Sequence, residues 1–362
     1  MKKVLVVDWL DKYGGAEKVI QALDHCLNFD EIHALVNIMN KTELIKMFPK
    51  EQKIKTTPLQ KFGKYFRVIY PFFFHTIKKI KVSEDAHLIL SSSHSVAKGV
   101  RKSNKNQIHI SYFQAPNSNY IWQDAPMYFK FTYPLIKWVL PLFRKWDFED
   151  GQNPDYIISN SKYVQNWVQL NYKRKSTVIY PPVNLSAFPL QTKKQDFYVI
   201  AGRMATIKRF DLVIEAFNEN GKKLIVIGDG NELNRLKSLA SSSNIEFLGF
   251  QNVEVLSKYL QKARAFIQMG VEGFGIAAIE AQSCGTPVIC YKKGGVTETV
   301  IENKTGLFFD EQSALALNNC IKKFEEIDWN YEEIHHHAQF FSSERFEEQI
   351  TRFVEEKLRK RC

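Results

Sequence analysis

The chain has 362 residues, 44% of them hydrophobic and 25% charged, which is ordinary for a folded globular protein but longer than one hydrophobic core usually supports. Two domains are therefore expected, and disorder and repeat arrays are excluded. The five cysteines are odd in number and lack C-x-x-C spacing, which excludes a disulfide framework and a zinc site. The net charge of +11 comes from the first half: residues 1–190 hold 27 Lys and Arg against 15 Asp and Glu, whereas residues 191–362 hold 23 against 24.

Short apolar runs alternate with helix-compatible segments along the first half of the chain. The first run, residues 3–7, ends at Asp8 and is too short for a signal peptide, so it predicts a buried strand. The further strands predicted in this half are residues 31–36, 87–93, 108–113, 155–161 and 176–182. Strands that alternate with helices indicate a parallel α/β sheet.

Two stretches of the first half, residues 59–81 and 127–146, mix basic residues with large aromatic residues. Uneven positive charge suggests nucleic acid or an anionic membrane as partner, and the aromatic residues favour the bilayer interface, where rings and basic heads lie together. Lys137 and Pro141 interrupt the most apolar stretch, so no membrane span is predicted. The cysteine pattern indicates a reducing cytoplasm, and we expect a protein that binds the anionic inner face of the cell membrane peripherally and does not bind nucleic acid.

The second half repeats the α/β pattern after a polar, proline-rich segment. Its predicted strands are residues 197–203, 223–230, 245–250, 265–269 and 287–291. The pattern predicts two α/β domains with parallel sheets, residues 1–184 and 196–340, and a linker at residues 185–195. Residues 341–362 are predicted as a helix that packs back on the first domain. Ligands of such sheets lie beyond the carboxyl ends of the strands, so a site in a cleft between facing domains is expected.

Arg203 and Lys208 follow the first predicted strand of the second domain, where they can converge on a diphosphate. The chain has no D-x-D carboxylate pair to hold Mg²⁺, and the histidines at 335–337 point to different faces of a helix, so no metal and no cofactor are predicted. The two cationic side chains would then neutralise a departing phosphate themselves. For this spacing alone, two solvated basic residues in a turn are the alternative.

Glu272 and Glu280 stand eight positions apart around a glycine-containing turn. Gly273 and Gly275 permit a tight turn with exposed backbone amides, and the helix that follows is expected to end near Gly285. At about 1.5 Å per residue, the two glutamates would lie roughly 12 Å apart. That distance suits a nucleotide sugar, with Glu272 at the hexose and Glu280 accepting both ribose hydroxyls. The alternative is a pair of surface glutamates beside an ordinary turn.

Taken together, these motifs resemble retaining GT-B glycosyltransferases of the group 1, family 4 type. The resemblance rests on the pair Arg203 and Lys208 and on the E-x7-E motif from Glu272 to Glu280. Three further segments are similar to the mannosyltransferase-like branch of O-antigen and capsule synthesis: residues 91–100, 144–164 and 178–184. It implies two Rossmann-like domains with parallel sheets that face each other across a cleft. It also implies metal-independent, retaining transfer of a hexose, with GDP-mannose as the preferred nucleoside diphosphate sugar, to a polyprenyl-linked or growing glycan.

The resemblance also implies roles for further residues. Gly14 and Gly15 would approach the donor diphosphate through their loop, Phe250 and Gln251 would border the base, and amides near the glycine turn would meet hexose hydroxyls: those of Gly275, Ile276 and Ala277. Catalysis is assigned to Arg203, Lys208 and Glu272. In this family the leaving phosphate deprotonates the acceptor, so the resemblance implies no enzymic base.

One position departs from the family pattern. Gln114 stands where the family usually has the histidine of an H-x-P element, and an amide can hydrogen-bond a hydroxyl but cannot carry charge. His94 is kept relative to the mannosyltransferase-like branch and is either an acceptor-binding residue or a structural histidine. Gln114 supports the alternative of a catalytically silent GT-B subunit that binds sugar nucleotide. A GT-B nucleotide-sugar epimerase is the other alternative.

Overall fold

The computed structural model describes residues 1–50, 54–129 and 132–360. The chain divides into two compact units, the first formed by Met1–Pro182 with the C-terminal segment from Glu344, and the second by Val183–Ser343. Residues 130–131 of the aromatic stretch 127–146 and residues 361–362 of the expected C-terminal helix lie outside the described residues.

The first unit is built on a parallel sheet with the order β3-β2-β1-β4-β5-β6-β7. Its strands are β1 (Lys2–Leu10), β2 (Glu31–Asn37), β3 (Ile54–Thr56), β4 (Ala86–Ser93), β5 (Ile108–Phe113), β6 (Tyr156–Ser159) and β7 (Thr177–Val178). Its helices, before the C-terminal one, are α1 (Gly15–Leu27), α2 (Lys41–Met47), α3 (Phe73–Ile77), α4 (Ala125–Phe129), α5 (Tyr133–Ile136), α6 (Leu140–Gly151) and α7 (Lys162–Tyr172).

The second unit has a parallel sheet with the order β10-β9-β8-β11-β12-β13. Its strands are β8 (Tyr198–Ala201), β9 (Leu224–Ile227), β10 (Ile245–Gly249), β11 (Ala265–Gln268), β12 (Val288–Tyr291) and β13 (Gly306–Phe309). Its helices are α8 (Phe210–Asn220), α9 (Leu233–Leu239), α10 (Val253–Lys262), α11 (Ile276–Ser283), α12 (Val296–Thr299), α13 (Ala314–Glu325) and α14 (Tyr331–Ala338). The final helix of the chain is α15 (Ser343–Arg359).

Burial on both faces explains why the central strands are continuous apolar runs. In β1, Leu5 and Val7 join one hydrophobic cluster, whereas Val4 and Val6 join a second cluster. Successive strand residues point to opposite faces, so a strand covered on both sides must be apolar at every position. The strand order reverses beside β1 in the first sheet and beside β8 in the second. Crevices for ligands form at such reversal points, at the carboxyl ends of the strands.

The C-terminal helix α15 packs on the first unit. Phe346, Ile350 and Val354 follow each other at four-residue intervals on one face and are buried in the cluster that contains Leu5 and Val19. Each fully buried side chain of this size contributes about 1.5–3 kcal/mol. The helix is therefore a structural part of the first unit, although the second unit precedes it in the chain.

The segment expected as a linker, residues 185–195, packs within the second unit. Phe188 is buried against helices α10 and α11, and Lys194 Nζ donates to the carbonyl oxygens of Gln261 and Cys284 at 2.9 Å. Burial lowers the pKa of Lys194 to about 8. Among the described helices, none is long and apolar enough to cross a bilayer.

Candidate functional site

Two loops at the reversal point of the second sheet carry the predicted catalytic residues. The loop between β8 and α8 holds Arg203, which is exposed, and Lys208, which ends a short 3-10 turn. The loop between β11 and α11 holds Glu272. Lys208 Nζ lies 2.5 Å from Glu272 Oε1, and the two side chains are 22% and 28% exposed. The structure therefore brings together, as an ion pair, two residues that stand 64 positions apart in the sequence.

Backbone contacts hold these loops together. A Cβ atom at Gly270 would lie 2.7 Å from the Cα of Lys208, so only glycine lets the two loops approach this closely. Gly295, in the loop between β12 and α12, donates its N–H to the carbonyl oxygen of Glu272 at 2.9 Å. Sequence reasoning missed Gly270 and Gly295, although the segment that contains Gly295, "KKGGV" at residues 292–296, directly follows a predicted strand. Together they fix the backbone on which Lys208 and Glu272 are presented.

The helix α11 begins directly after Gly275, which has a φ of 96° that side-chain-bearing residues rarely adopt. Ile276 and Ala277 form its first turn, where backbone amides lack intrahelical partners. Glu280 lies further along the helix and is buried. The roughly 12 Å separation predicted for the two glutamates assumed helical rise throughout. In the structure only the interval from Ile276 to Glu280 is helical, because Glu272 precedes the helix.

Phe250 and Gln251 follow β10, at the edge of the same sheet. Phe250 is 77% exposed, and Gln251 Nε2 donates to the carbonyl oxygen of Leu248 at 2.6 Å. Because β10 lies three strands from β11 and neighbouring strands are about 4.8 Å apart, the loops after these strands are spread over roughly 14 Å. The loop after β8, with Arg203, lies between them.

In the first unit, a buried carboxylate organises the loop after β4. Asp8, near the end of β1, accepts hydrogen bonds from four consecutive backbone N–H groups at 2.6–2.9 Å: those of His94, Ser95, Val96 and Ala97. His94 Nδ1 lies 3.1 Å from Asp8 Oδ2, and the imidazole ring packs edge-on against Trp9 with ring centroids 4.5 Å apart. Sequence reasoning missed Asp8, although it directly follows the first apolar run. Asp8 therefore orients His94 at the reversal point of the first sheet.

Gln114, at the end of β5, connects the sheet to the first turn of α1. Its Nε2 donates to Ser92 Oγ at 2.6 Å and to the carbonyl oxygen of Ala16 at 3.1 Å. The predicted phosphate-binding amide of Gly14 donates to Glu17 Oε2 at 3.0 Å, and the exposed Gly15 begins the helix. The structure places all four predicted donor and acceptor residues of this unit along one edge: Gly14, Gly15, His94 and Gln114. In this state, however, Gly14 N–H and Gln114 Nε2 bind partners within the chain.

A buried ion pair joins two of the segments that carried the family resemblance. Lys98 Nζ, in the segment 91–100, lies 2.7 Å from Asp147 Oδ1, in the segment 144–164, and both side chains are fully buried. Asp147 Oδ2 also accepts from Trp122 Nε1 at 2.7 Å and from Tyr172 Oη at 2.6 Å. Burial is the main reason why the pKa of Tyr172 lies well above its usual value. Removing one member would leave a buried charge unpaired, so this network supports the loop that presents His94.

The basic and aromatic stretches of the first unit contact each other. Phe74 packs against Phe143 with ring centroids 6.3 Å apart, so the stretch 59–81 adjoins the described part of the stretch 127–146. Large apolar side chains of both stretches are exposed: Phe62, Tyr65, Val68, Phe72, Leu135, Trp138, Val139 and Leu142. We call this the aromatic face.

Exposed basic residues belong to the same two stretches as the aromatic face: Lys61, Lys64, Arg67, Lys79, Lys81, Lys137 and Lys145. Two of the basic residues in these stretches pair with carboxylates: the exposed Arg67 pairs with Asp11, and the half-buried Lys78 has its Nζ 2.9 Å from Asp150 Oδ1. Burial raises the pKa of Asp150, and Lys78 opposes that shift. Lys78 is therefore not a free surface cation. Within the described ranges, no three His, Cys, Asp or Glu side chains form a group that could hold a metal ion.

Residues 184–340 match the family described as "Glycosyl transferases group 1", which spans almost the whole second unit. An uncharacterized glycosyltransferase of Methanocaldococcus jannaschii is 29% identical over 165 residues, which are 44% of this chain and 47% of that protein. A "GDP-mannose-dependent alpha-(1-6)-phosphatidylinositol monomannoside mannosyltransferase" of Mycobacterium tuberculosis is 35% identical over 106 residues, 26% of this chain and 28% of that protein. The chain thus spans less than half the length of these curated relatives.

Solved structures resemble the whole chain. Sucrose-phosphate synthase from Thermosynechococcus elongatus superimposes with a TM-score of 0.74 at 16% identity, over 99% of this chain and 100% of that one. HepE of Anabaena, in complex with UDP-glucose, superimposes with a TM-score of 0.64 at 17% identity, over 98% of this chain and 100% of that one. These likenesses confirm the predicted fold class, α/β with two parallel sheets of the GT-B type.

Proposed function

We propose that this protein is a glycosyltransferase that moves a hexose from a nucleoside diphosphate sugar to a glycan acceptor. The observation that carries the proposal is the ion pair of Lys208 and Glu272 at the carboxyl edge of the second sheet, inside the segment that matches the group 1 family. A cation can neutralise the diphosphate and a carboxylate can accept hydrogen bonds from sugar hydroxyls, so this pair offers such a donor both contacts side by side.

In the proposed reaction, the acceptor hydroxyl attacks the anomeric carbon on the face from which the diphosphate leaves. The bond between the anomeric carbon and the phosphate oxygen breaks, and that oxygen takes the hydroxyl proton, so the anomeric configuration is retained without an enzymic nucleophile. Arg203 and Lys208 neutralise the charge that develops on the diphosphate, and no metal is required. Exchanging Arg203 for alanine should lower kcat by roughly 10² or more. EDTA should leave activity unchanged, and strict dependence on Mg²⁺ would refute this scheme.

The donor would lie across the strand ends of the second sheet. Phe250 and Gln251 would border the base, Glu280 would accept the ribose hydroxyls, and the diphosphate would lie at the loop after β8. The hexose would meet Glu272 and the amides at the start of α11, those of Gly275, Ile276 and Ala277. The spread of roughly 14 Å between the loops after β10 and β11 supports this order.

We propose GDP-mannose as the donor and place the protein in the mannosyltransferase-like branch of family 4, which serves O-antigen and capsule synthesis. Several relatives of part of the chain are GDP-mannose-dependent mannosyltransferases by name. HepE, in contrast, was solved with UDP-glucose. Calorimetric titration with GDP, UDP and ADP tests nucleotide binding and base choice together. Tighter binding of UDP than of GDP would overturn the assignment to GDP-mannose.

The acceptor is proposed to be a polyprenyl-linked or growing glycan at the inner face of the cell membrane. His94, held by Asp8, would bind an acceptor hydroxyl, with Nδ1 donating to the carboxylate and the imidazole therefore fixed in orientation. The aromatic face beside exposed lysines suits a bilayer interface, where rings enter the headgroup region and ammonium groups meet anionic lipid. This arrangement supports a peripheral cytoplasmic location.

A catalytically silent subunit is the second candidate. Two hydrogen bonds in the first unit favour it. Gln114 Nε2 donates to the carbonyl oxygen of Ala16 in α1, and Glu17 Oε2 accepts from the N–H of Gly14. Such a subunit would bind nucleotide but would neither transfer nor hydrolyse the sugar. Detection of nucleotide release from GDP-mannose in the presence of a lipid-linked glycan would exclude this candidate.

A further inference from the structure

Gln268 is a buried polar residue at the carboxyl end of β11. Its side chain is 5% exposed, and neither Oε1 nor Nε2 has a hydrogen-bond partner among the described residues. A carboxamide offers both donors and an acceptor, and leaving both unsatisfied in the interior lowers stability. Apolar residues fill the two preceding positions of the strand, Phe266 and Ile267. A buried glutamine therefore needs an explanation here.

The carboxamide lies directly beneath the start of α11. A Cβ atom added to Gly275 would lie 3.1 Å from Gln268 Nε2 and 3.2 Å from Oε1. The same Cβ would lie 3.1 Å from Val296 Cγ1, at the start of α12. Only glycine backbone thus separates the amide from the helix N-terminus whose free N–H groups were assigned to the donor sugar. The amide therefore lies against the glycine turn that borders the proposed sugar subsite.

Two other glutamines of the second unit, the buried Gln282 and the half-buried Gln312, donate hydrogen bonds to the backbone, and Gln268 does not. Gln282 Oε1 also lacks a partner among the described residues, but Gln282 Nε2 donates to the carbonyl oxygens of Thr299 at 2.9 Å and of Ala278 at 3.3 Å. Gln312 Nε2 donates to the carbonyl oxygen of Met269, the residue after Gln268, at 2.8 Å. The contrast indicates that the polarity of Gln268 serves something that is absent from the protein alone.

We propose that Gln268 belongs to the sugar subsite and hydrogen-bonds one hydroxyl of the transferred hexose, which makes it a specificity-determining residue. The inference rests on the proposed function, because it needs a hexose donor in this unit. A sugar hydroxyl both donates and accepts, and so it can satisfy both atoms of the carboxamide. The contact requires a shift of the glycine turn at residues 273–275 on donor binding, because the backbone of Gly275 lies against the amide in the unliganded protein. Donors that lack this hydroxyl would leave the amide unpaired and be rejected.

The first test measures the stability of the full-length protein without ligand. Exchange of Gln268 for methionine removes two unsatisfied polar atoms while keeping the length of the side chain, so the thermal midpoint should rise. The matched exchange of Gln282 for methionine breaks two hydrogen bonds and should lower the midpoint. A lower midpoint, or misfolding, of the Gln268→Met variant would show that the amide already has a structural partner and would overturn the proposal.

The second test compares kcat/KM for GDP-mannose and for a series of its deoxy analogues in the wild type and the Gln268→Met variant. We expect the variant to lose roughly 10- to 100-fold with the parent donor, the range of one lost buried hydrogen bond, while its GDP dissociation constant stays within twofold. One deoxy donor should lose as much in the wild type and nothing further in the variant. The Gln282→Met variant should keep the wild-type order of donors.

The outcomes separate the two levels of inference. If the wild type transfers sugar and the losses from Gln268→Met and from every deoxy donor simply multiply, Gln268 does not contact the sugar, and only this inference fails. If the wild type transfers sugar from no nucleotide donor, the proposed function fails and this inference fails with it. Loss of GDP affinity in the Gln268→Met variant would also overturn the role at the sugar.

Discussion

Exchange of Glu272 for glutamine should raise the affinity for free nucleoside diphosphate while it lowers turnover. In the unliganded protein Glu272 Oε1 lies 2.5 Å from Lys208 Nζ, so an arriving diphosphate must compete with this carboxylate for the ammonium group. The two side chains are 22% and 28% exposed, and partly exposed ion pairs of this kind contribute about 0.2–1 kcal/mol. Removing the charge of Glu272 releases Lys208, and the GDP dissociation constant should fall by up to about fivefold.

The same exchange should lower kcat by roughly 10² with the intact donor, because the hexose contact changes as the glycosidic bond breaks. Calorimetry gives the GDP affinity, and steady-state kinetics with GDP-mannose give kcat. The matched control is Lys208→Gln: on that background Glu272→Gln should no longer improve GDP binding, since the ammonium it would release is gone. Added salt should reduce the gain in the single variant by screening the pair.

The reasoning is refuted if Glu272→Gln weakens GDP binding as severely as removal of Glu280 does. That result would mean that Glu272 holds the nucleotide and that the two glutamates do not divide the donor. An unchanged kcat would equally remove Glu272 from the sugar. A gain in GDP affinity that persists without the Lys208 ammonium would show that the ion pair is not its cause.

Three further predictions concern the nucleotide, the membrane and acid stability. Glu280→Ala should weaken GDP and donor binding alike and raise KM more than it lowers kcat, and an effect on kcat alone would contradict a ribose contact. Neutralising Lys79 and Lys81 should weaken binding to anionic vesicles in a sedimentation assay, whereas neutralising the exposed lysines at 322–323 in the second unit should not. If the wild type binds neutral vesicles as well as anionic ones, its partner is not an anionic surface. Burial lowers the pKa of His109 to about 3, below the roughly 6.5 of an unfolded chain, so its neutral form stabilises the fold fully above pH 6.5. The free energy of unfolding therefore falls by up to about 1.4 kcal/mol for each pH unit between 6.5 and 3. The exchange His109→Leu should flatten the pH dependence of the thermal midpoint.

The fold class could be predicted from the sequence because its signals are local. Runs such as residues 87–93 and 108–113 match β4 and β5 closely, since strands buried on both faces must be apolar throughout. Two strands were missed. The strand β3 has three residues that are mostly exposed, so it has no apolar run to detect, and the four-residue β13 follows a turn without a clear boundary. Both lie at sheet edges, although three of the four residues of β13 are buried.

The candidate site residues could also be named from the sequence. Arg203 and Lys208 follow a predicted strand, Glu272 and Glu280 flank a glycine turn, and their spacings carry the family resemblance. Their contacts could not be predicted from the sequence. The tertiary structure decided that Lys208 pairs with Glu272, that Asp8 organises the loop of His94, and that Lys78 is tied to Asp150 and not free at the surface. It also decided that Gln268 lies buried beneath the start of α11, where its amide has no hydrogen-bond partner in the part of the chain that the structure describes. Such contacts join residues that are distant along the chain, and they depend on how helices and loops pack on the sheet. Composition and periodicity indicate only the local structure of each segment.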